Sequence, residues 1–278
     1  MVVIATLATK QCFHDLKILF FTLQLWNKTP PTVYIYCDSE IERYIQTNPY
    51  KGKVIWRNIL DIYTNYDRSV MEILPGIKDK TDSLFKDFVL EKTYLLDWVF
   101  ETEQDIFFCD ADICFLGPLP TITDTFELGL SQHNICKNDE ERFGKYNAGF
   151  IFLRNKNIPT SWRNYSLTSR FFEQACLEDL EKDYSTFYFK EQVNYGWWRL
   201  LQGEDLPNIL IKKWSIYRQE EYSGIYVNGF PLICIHTHWK TSDKATSYFN
   251  EFVLSFLNKL SSVKKTKLLI NFLKKIVA

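Results

Sequence analysis

Residues 106–120 read IFFCDADICFLGPLP. An apolar run leads into two carboxylates, Asp110 and Asp112, one residue apart, and the chain then turns away at Gly117 and Pro118. A buried strand that ends in paired acids needs positive charge to meet them, because an unpaired carboxylate is costly away from water. In open α/β sheets ligands bind beyond the carboxyl ends of strands. Two carboxylates there offer hard oxygen ligands that suit Mg2+ or Mn2+. An ion held by so few protein ligands keeps positions open for phosphate oxygens, so a diphosphate is the natural partner.

Working outward, VVIATLAT (2–9) and TVYIYCD (32–38) are β-branched, apolar runs that read as buried strands, and KVIWRN (53–58) reads as a third. Leu16, Leu19, Phe20, Leu23 and Trp26 recur at helical spacing between the first two, and Thr29-Pro30-Pro31 stops that helix. Residues 83–101 read as a long helix ahead of the strand 105–110, and 59–82 as an irregular region over one end of the sheet. Further strands are expected at 126–132, 147–154, 208–214 and 231–238, and helices at 159–181 and 185–202. The alternation predicts an α/β fold with a mixed, mostly parallel central sheet flanked by helices.

Composition narrows the function. With 33 Lys and Arg against 34 Asp and Glu in 278 residues, the chain lacks the basic surplus of a nucleic-acid partner. Seven cysteines without any CxxC pair read as reduced, buried thiols. The N-terminus has no basic segment before its apolar run, and no run reaches membrane-spanning length, so a cytoplasmic protein is expected. Residues 252–278 carry no acids and six lysines, Lys259, Lys264, Lys265, Lys267, Lys274 and Lys275, among apolar residues. This basic amphipathic pattern suits peripheral contact with an anionic membrane; the alternative is two helices packed on the domain with their lysines solvated.

The residues also resemble a family. IFFCDADICFLGPLP resembles the metal-binding Asp-x-Asp strand of GT-A fold nucleotide-sugar glycosyltransferases. YNAGFIFLRN (146–155) is similar to the Asn-Ala/Ser-Gly segment of the glycogenin-like and lipopolysaccharide galactosyltransferase-like enzymes. FKEQVNYGWW (189–198) is similar to their Asp-Gln segment, with Glu191 in place of the Asp, and CIHTHWKT (234–241) to their late His…Lys segment, without its usual Gly and Lys-Pro. The resemblance implies a Rossmann-like GT-A catalytic domain over 1–245, with a nucleotide-binding part at 1–105, a metal, donor-sugar and acceptor part at 106–245, and a helical tail at 246–278. It implies transfer of a sugar from a nucleoside diphosphate donor, UDP-sugar preferred, to a glycan, lipid-linked or protein-linked hydroxyl, with a metal cofactor and retention of configuration.

Each candidate residue has a chemical reason. Asp110 and Asp112, with Ala111 between them, and His236 are expected to hold the metal. Imidazole favours Mn2+, and His236 and His238, two apart on a strand, point the same way, so either is a candidate third ligand. His236 is preferred because it leaves Lys240 free to meet a phosphate. Asn147 offers a donor and an acceptor to sugar hydroxyls, and Ala148 and Gly149 allow close approach. Glu191 and Gln192, on a helix that begins after Ser185, are the catalytic candidates by resemblance, facing the anomeric carbon and donor sugar. Thr6, Leu7 and Ala8 end the first strand and Asp38 the second, where an acid accepts from a uracil N–H or ribose hydroxyl. Lys92 is expected to reach a phosphate, Tyr63 and Tyr66 to stack on the base, and His133 to face the sugar.

Three alternatives are weaker. An aspartyl phosphatase motif runs on into Gly-Thr or Thr/Val near the N-terminus, whereas Ile113 and Cys114 follow here, mid-chain. A sugar nucleotidyltransferase needs a Gly-rich loop after the first strand, and TLATKQCFHD has no Gly. A non-catalytic binding protein has no need of the intact Asp110–Asp112 pair.

Overall fold

The computed structural model describes residues 2–78, 81–122, 125–200, 212–218 and 223–278. In chain order the strands that build the central sheet and the site are β1 (Val3–Ala8), β2 (Val33–Cys37), β3 (Val54–Asn58), β4 (Ile106–Cys109), β5 (Ile113–Phe115), β6 (Leu128–Gln132), β7 (Tyr146–Leu153), β8 (Thr186–Phe189) and β9 (Tyr195–Gly196). Seven of them form one sheet in the order β3-β2-β1-β4-β7-β6-β8. β1 pairs parallel with both β2 and β4, β7 pairs antiparallel with β4 and β6, and β6 pairs parallel with β8. β7 therefore opposes the other six strands. The order reverses between β1 and β4, so their carboxyl ends flank the crevice where such sheets bind ligands.

Helices cover both faces, which is why β1, β2, β4 and β7 are buried along their whole length rather than alternating. Val3, Ala5 and Leu7 face a core shared with α4 (Leu84–Phe100), α6 (Ile158–Ser166) and α7 (Leu177–Asp183). Ile4 and Ala8 face the opposite core with α1 (Phe13–Trp26) and α2 (Ser39–Gln46). Ser83 starts α4 by accepting from the Lys86 N–H, which fixes where this helix, and Lys92 upon it, begins to rise along the sheet. Two short helices, α3 (Arg68–Ile73) and α5 (Lys137–Phe143), complete the α-helical complement of the described residues up to 200.

Three expectations change. The helix expected over 159–181 is two helices, α6 and α7, and residues 167–176 between them are irregular, with Phe172 at φ 41. A bulky residue in the left-handed region interrupts a helix and holds only where its surroundings impose it. The helix expected over 185–202 is instead, as far as residue 200, β8, a turn, β9 and a short 3-10 helix, Trp197–Leu200; residues 201–202 lie outside the described residues. The physical reason is period two: Phe187 and Phe189 pack into the core while Thr186 and Tyr188 take the other side. The strand expected at 208–214 lies largely outside the described residues, and a strand does begin at Trp214.

Residues 231–238 pair away from the central sheet. Cys234–His236 forms a strand against β5, antiparallel, and β9, parallel. A third core under this small sheet includes Tyr195, Trp214, Trp239, Phe249, Leu269 and Leu273. It receives the tail as two helices, Lys244–Lys259 and Lys264–Val277. Phe272 stacks on Phe21 of α1 with ring centroids 4.0 Å apart. Each large tail residue so buried contributes about 1.5–3 kcal/mol.

Candidate functional site

A cleft of about 660 Å³ opens over the carboxyl ends of β1 and β4. Its floor is polar. Asp110 leaves β4 with its backbone N–H bonded to the Gly149 carbonyl at 2.8 Å, and its own carbonyl accepts from Ile113 N–H at 3.1 Å. That tight turn brings Asp112 back beside Asp110. The Thr237 N–H reaches the Asp112 carbonyl at 3.1 Å, which docks the His236 strand against the turn. Ligand atoms of Asp110, Asp112 and His236 lie within 4.8 Å of one another. Gly149 makes the close fit possible: a Cβ there would stand 2.4 Å from His236 Cε1 and 2.8 Å from Asp110 Oδ2.

Charge on this floor is set by neighbours. Asp112 Oδ1 is 3.0 Å from His236 Nε2 and its Oδ2 is 3.4 Å from His238 Nε2. Burial works against the Asp112 charge, but the two imidazoles outweigh it and hold the carboxyl well below its usual range. Asp110 goes the other way: burial raises it, the Lys92 ammonium at 3.2 Å opposes this, and Asp112 adds to the rise. Lys92 also pairs with Glu173 at 2.7 Å. Burial would discharge Lys92, yet the two carboxylates together keep it charged beyond the ordinary lysine range. His238 is lifted to about 9 by the Asp112 charge and by its 2.8 Å bond to buried Asp15. Asp15, Asp110, Asp112 and Glu173 against Lys92 and a protonated His238 leave a surplus of two negative charges. A divalent cation would neutralise it.

The cleft walls are aromatic: Phe85 and Phe88 of α4, Phe171 and Phe172 of the 167–176 segment, and Trp197 and Trp198 beyond β9. His133 lines the same wall with its ring edge-on to Trp198 at 5.2 Å. Burial pulls it down to about 4, which keeps it neutral. Tyr63 and Tyr66 also line the cleft; Tyr63 donates to Glu91 at 3.1 Å, and Tyr66 stands exposed at the rim.

Of the residues singled out from sequence, the cleft brings together Leu7, Lys92, Asp110, Ala111, Asp112, Asn147, Ala148, Gly149 and His236. Others stand apart. Thr6 and Ala8 are buried and do not line it. Asp38 is fully buried and serves the backbone instead, capping α2 through Glu40 and Ile41 N–H and taking the Lys10 N–H at 2.6 Å. Lys240 is exposed and outside the lining. Glu191 and Gln192 sit in the turn after β8; Glu191 faces Asn228 and, at 3.6 Å, Arg199. The acid–amide pair on the cleft is Glu173-Gln174. Glu-Gln occurs three times in the chain, at 103–104, 173–174 and 191–192, and of these only 173–174 lines the cleft among the described residues. Sequence reasoning also missed Asn194, which touches the site through Asn147 and His236, and Asp15, which touches it through His238.

No family model matches the chain, and no curated protein does. Solved structures do. The glycosyltransferase GlyE of Streptococcus pneumoniae TIGR4 is similar at a TM-score of 0.56 and 15% identity, over 99% of this chain and 64% of that one. This chain thus spans a little under two thirds of GlyE. Galactosyltransferase LgtC, solved with donor and acceptor sugar analogs, is similar at a TM-score of 0.55 and 12% identity, over 92% of this chain and 96% of that one. Mouse xyloside xylosyltransferase 1 is similar at a TM-score of 0.52 and 11% identity, over 86% and 98%. At these identities what is shared is the fold, which is that of the GT-A glycosyltransferases.

Proposed function

We propose that the chain is a metal-dependent glycosyltransferase that moves a sugar from a nucleoside diphosphate donor, UDP-sugar in the first instance, to a hydroxyl acceptor on a glycan, lipid or protein. The observation that carries this reading is the convergence of Asp110, Asp112 and His236 on one point of the cleft floor, with Gly149 leaving room for it. Two carboxylates and one imidazole are a donor set for Mn2+ or Mg2+, Mn2+ favoured by the nitrogen. Bound there, the cation would supply Lewis-acid neutralisation of charge on the departing diphosphate.

The chain's own residues do the rest. Lys92, kept charged between Asp110 and Glu173, adds a fixed positive end to the floor. The Asn147 and Gln174 amides face the cleft as orienting groups for sugar hydroxyls. The aromatic walls exclude water and offer ring faces. Among the described residues that line the cleft, the acids are all engaged: Asp67 caps α3, Glu173 holds Lys92, and Asp110 and Asp112 form the metal corner. An inverting route needs a positioned carboxylate to take the acceptor proton. Its absence from this set favours retention.

The test is turnover of UDP- and GDP-sugars with and without Mn2+. Activity that requires the ion and disappears in Asp112→Ala is expected; equal turnover in that variant, or none with any nucleotide sugar, overturns the reading.

The seven cysteines are all unpaired, which suits a reducing, cytoplasmic setting. Among the described residues no helix is long and apolar enough to cross a membrane. The tail's apolar residues are largely spent on packing, while Lys264, Lys265, Lys267, Lys274 and Lys275 are exposed. A peripheral membrane contact is therefore electrostatic: pelleting with anionic vesicles, reversed by salt, is expected, and a chain that stays in the supernatant at low salt removes the idea.

A further inference from the structure

The three amides beside the Asp110–Asp112–His236 corner form a chain of fixed polarity, because backbone groups set Gln174 and Asn147 and Asn147 in turn sets Asn194. A carbonyl can only accept and an N–H can only donate. The Phe143 carbonyl is 2.9 Å from Gln174 Nε2, so Gln174 donates there and its Oε1 turns towards the Ala148 N–H and Asn147 Nδ2, each at 3.3 Å. Asn147 must then present Oδ1 on its other side. It does so to the Gly149 N–H at 2.9 Å and to Asn194 Nδ2, also at 2.9 Å. Asn194 is left with Oδ1 facing His236 Nδ1 at 3.0 Å. An oxygen acceptor opposite that nitrogen requires the ring to carry its proton on Nδ1.

The consequence lies on the far side of the ring. With hydrogen on Nδ1, Nε2 is the atom that faces Asp112 Oδ1, at 3.0 Å, donating to it if the ring is doubly protonated and presenting a lone pair if it is neutral. A cation at that corner would take the place of the Nε2 proton, with Nε2 and the Asp112 carboxylate both turned to it. We infer that Asn194 is a positioning residue: the Gln174–Asn147–Asn194 amide relay selects the Nδ1–H tautomer of His236 and so makes Nε2 the metal-binding atom. The inference rests on the metal-dependent reading proposed above and assigns a device within it.

Two features separate this from ordinary packing. Asn194 is fully buried and sits at φ 58, in the left-handed region that Asn tolerates at a cost and Gly adopts freely. A residue kept for the backbone alone would be replaced by Gly without loss. The other support of the same strand works through different atoms: Thr237 Oγ1 meets Asn250 Oδ1 at 2.7 Å, and Asn250 Nδ2 donates to the His238 carbonyl at 2.9 Å. That bracket holds the strand end without touching the His236 ring.

The experiment uses the full chain and two readouts. Long-range proton–nitrogen NMR of 15N-histidine protein, metal-free, reports the His236 tautomer; with 4 histidines, a His236→Gln spectrum assigns it. Mn2+ titration followed by electron paramagnetic resonance reports affinity. Wild type is expected to hold the Nδ1–H tautomer. Asn194→Gly, which keeps the backbone geometry, is expected to lose the single tautomer and bind Mn2+ about 10–100-fold more weakly, the usual effect of removing a residue that orients a metal ligand. Asn194→Asp, still an acceptor for Nδ1–H but without the Nδ2 donor to Asn147, is expected to keep hydrogen on Nδ1 and to bind Mn2+ more tightly than Asn194→Gly. Asn250→Ala is expected to leave the tautomer unchanged. A wild-type spectrum with hydrogen on Nε2 and none on Nδ1, or Asn194→Gly with an unaltered tautomer and affinity, overturns the inference. Failure of wild type to bind Mn2+ while His236 keeps the Nδ1–H form sinks the metal reading alone, because the tautomer is read without metal.

Discussion

Asp38 and Asp110 each follow a parallel strand of the same sheet, on either side of β1, and their carboxylates are used in opposite ways. Asp38 is wrapped in backbone donors. The N–H groups of Glu40, Ile41 and Lys10 take both its oxygens, and it is inaccessible. Asp110 receives one ammonium, shared with Glu173, and faces a second carboxylate and an imidazole across the cleft floor. A carboxylate saturated by N–H groups is a structural part; one left short of donors beside another acid is free to serve as a ligand. Position at a strand end does not separate the two. The residues just downstream do: Ser39-Glu40-Ile41 begins a helix and so aims N–H groups back at Asp38, whereas Ala111-Asp112 turns without one.

The sharpest way to break this contrast is to delete each carboxylate. Asp110→Ala is expected to lower donor turnover by about a thousandfold or more, on the scale of removing a principal electrostatic group from a site. Stability should change little, since Lys92 keeps Glu173. Asp38→Ala is expected to cost about 2–4 kcal/mol in urea unfolding, because three backbone donors lose their acceptor, while the folded fraction turns over at the wild-type rate. If Asp38→Ala instead unfolds normally but binds UDP poorly, the assignment of Asp38 to the backbone is wrong.

Gly149→Ala probes the room around Asp110 without touching its charge. The added methyl must push His236 or Asp110 aside. Mn2+ affinity is expected to fall about 10–100-fold, with a smaller overpacking cost in stability of about 1–3 kcal/mol. Unchanged affinity by metal titration would show that the corner has slack and that Gly149 is there for the turn alone.

The contrast also explains what the sequence made legible. The strand-helix-strand opening was readable because β1, β2 and β4 are apolar throughout and covered on both faces. The meeting of Asp110 and Asp112 with His236 was readable because two acids and the His236–His238 pair are chemically distinctive at strand ends. What escaped was the segment 167–200. There Phe172 takes a left-handed conformation that no propensity predicts, and the Thr186–Phe189 run offers only four residues of alternation. Glu173, Gln174 and Asn194 reach the floor by tertiary packing of such segments, so their spacing from Asp110 carries no periodic signal. Asp38 was misread for the converse reason: its donors are backbone groups, which every sequence has.

The smallest expected effect is also the one that decides between two identical dipeptides. Glu173-Gln174 and Glu191-Gln192 are the same two residues, yet only the first lines the cleft. Glu173 holds Lys92 at 2.7 Å and is buried; Glu191 is partly exposed and turned towards Arg199 and Asn228. Glu173→Gln removes a charge-assisted bond in the site, worth about 1.5–3 kcal/mol, so Lys92 is drawn wholly to Asp110. Turnover is expected to fall about tenfold or somewhat more, the equivalent of the lower end of that range. Glu191→Gln keeps the shape and the hydrogen bond to Asn228 and is expected to stay within about twofold, the scale of a surface change away from chemistry. A steady-state comparison of the two isosteric variants at saturating Mn2+ reads this directly. The opposite ranking would move the donor-sugar contact from the 167–176 segment to the turn after β8, and with it the acid that orients Lys92 would lose its claim on the reaction.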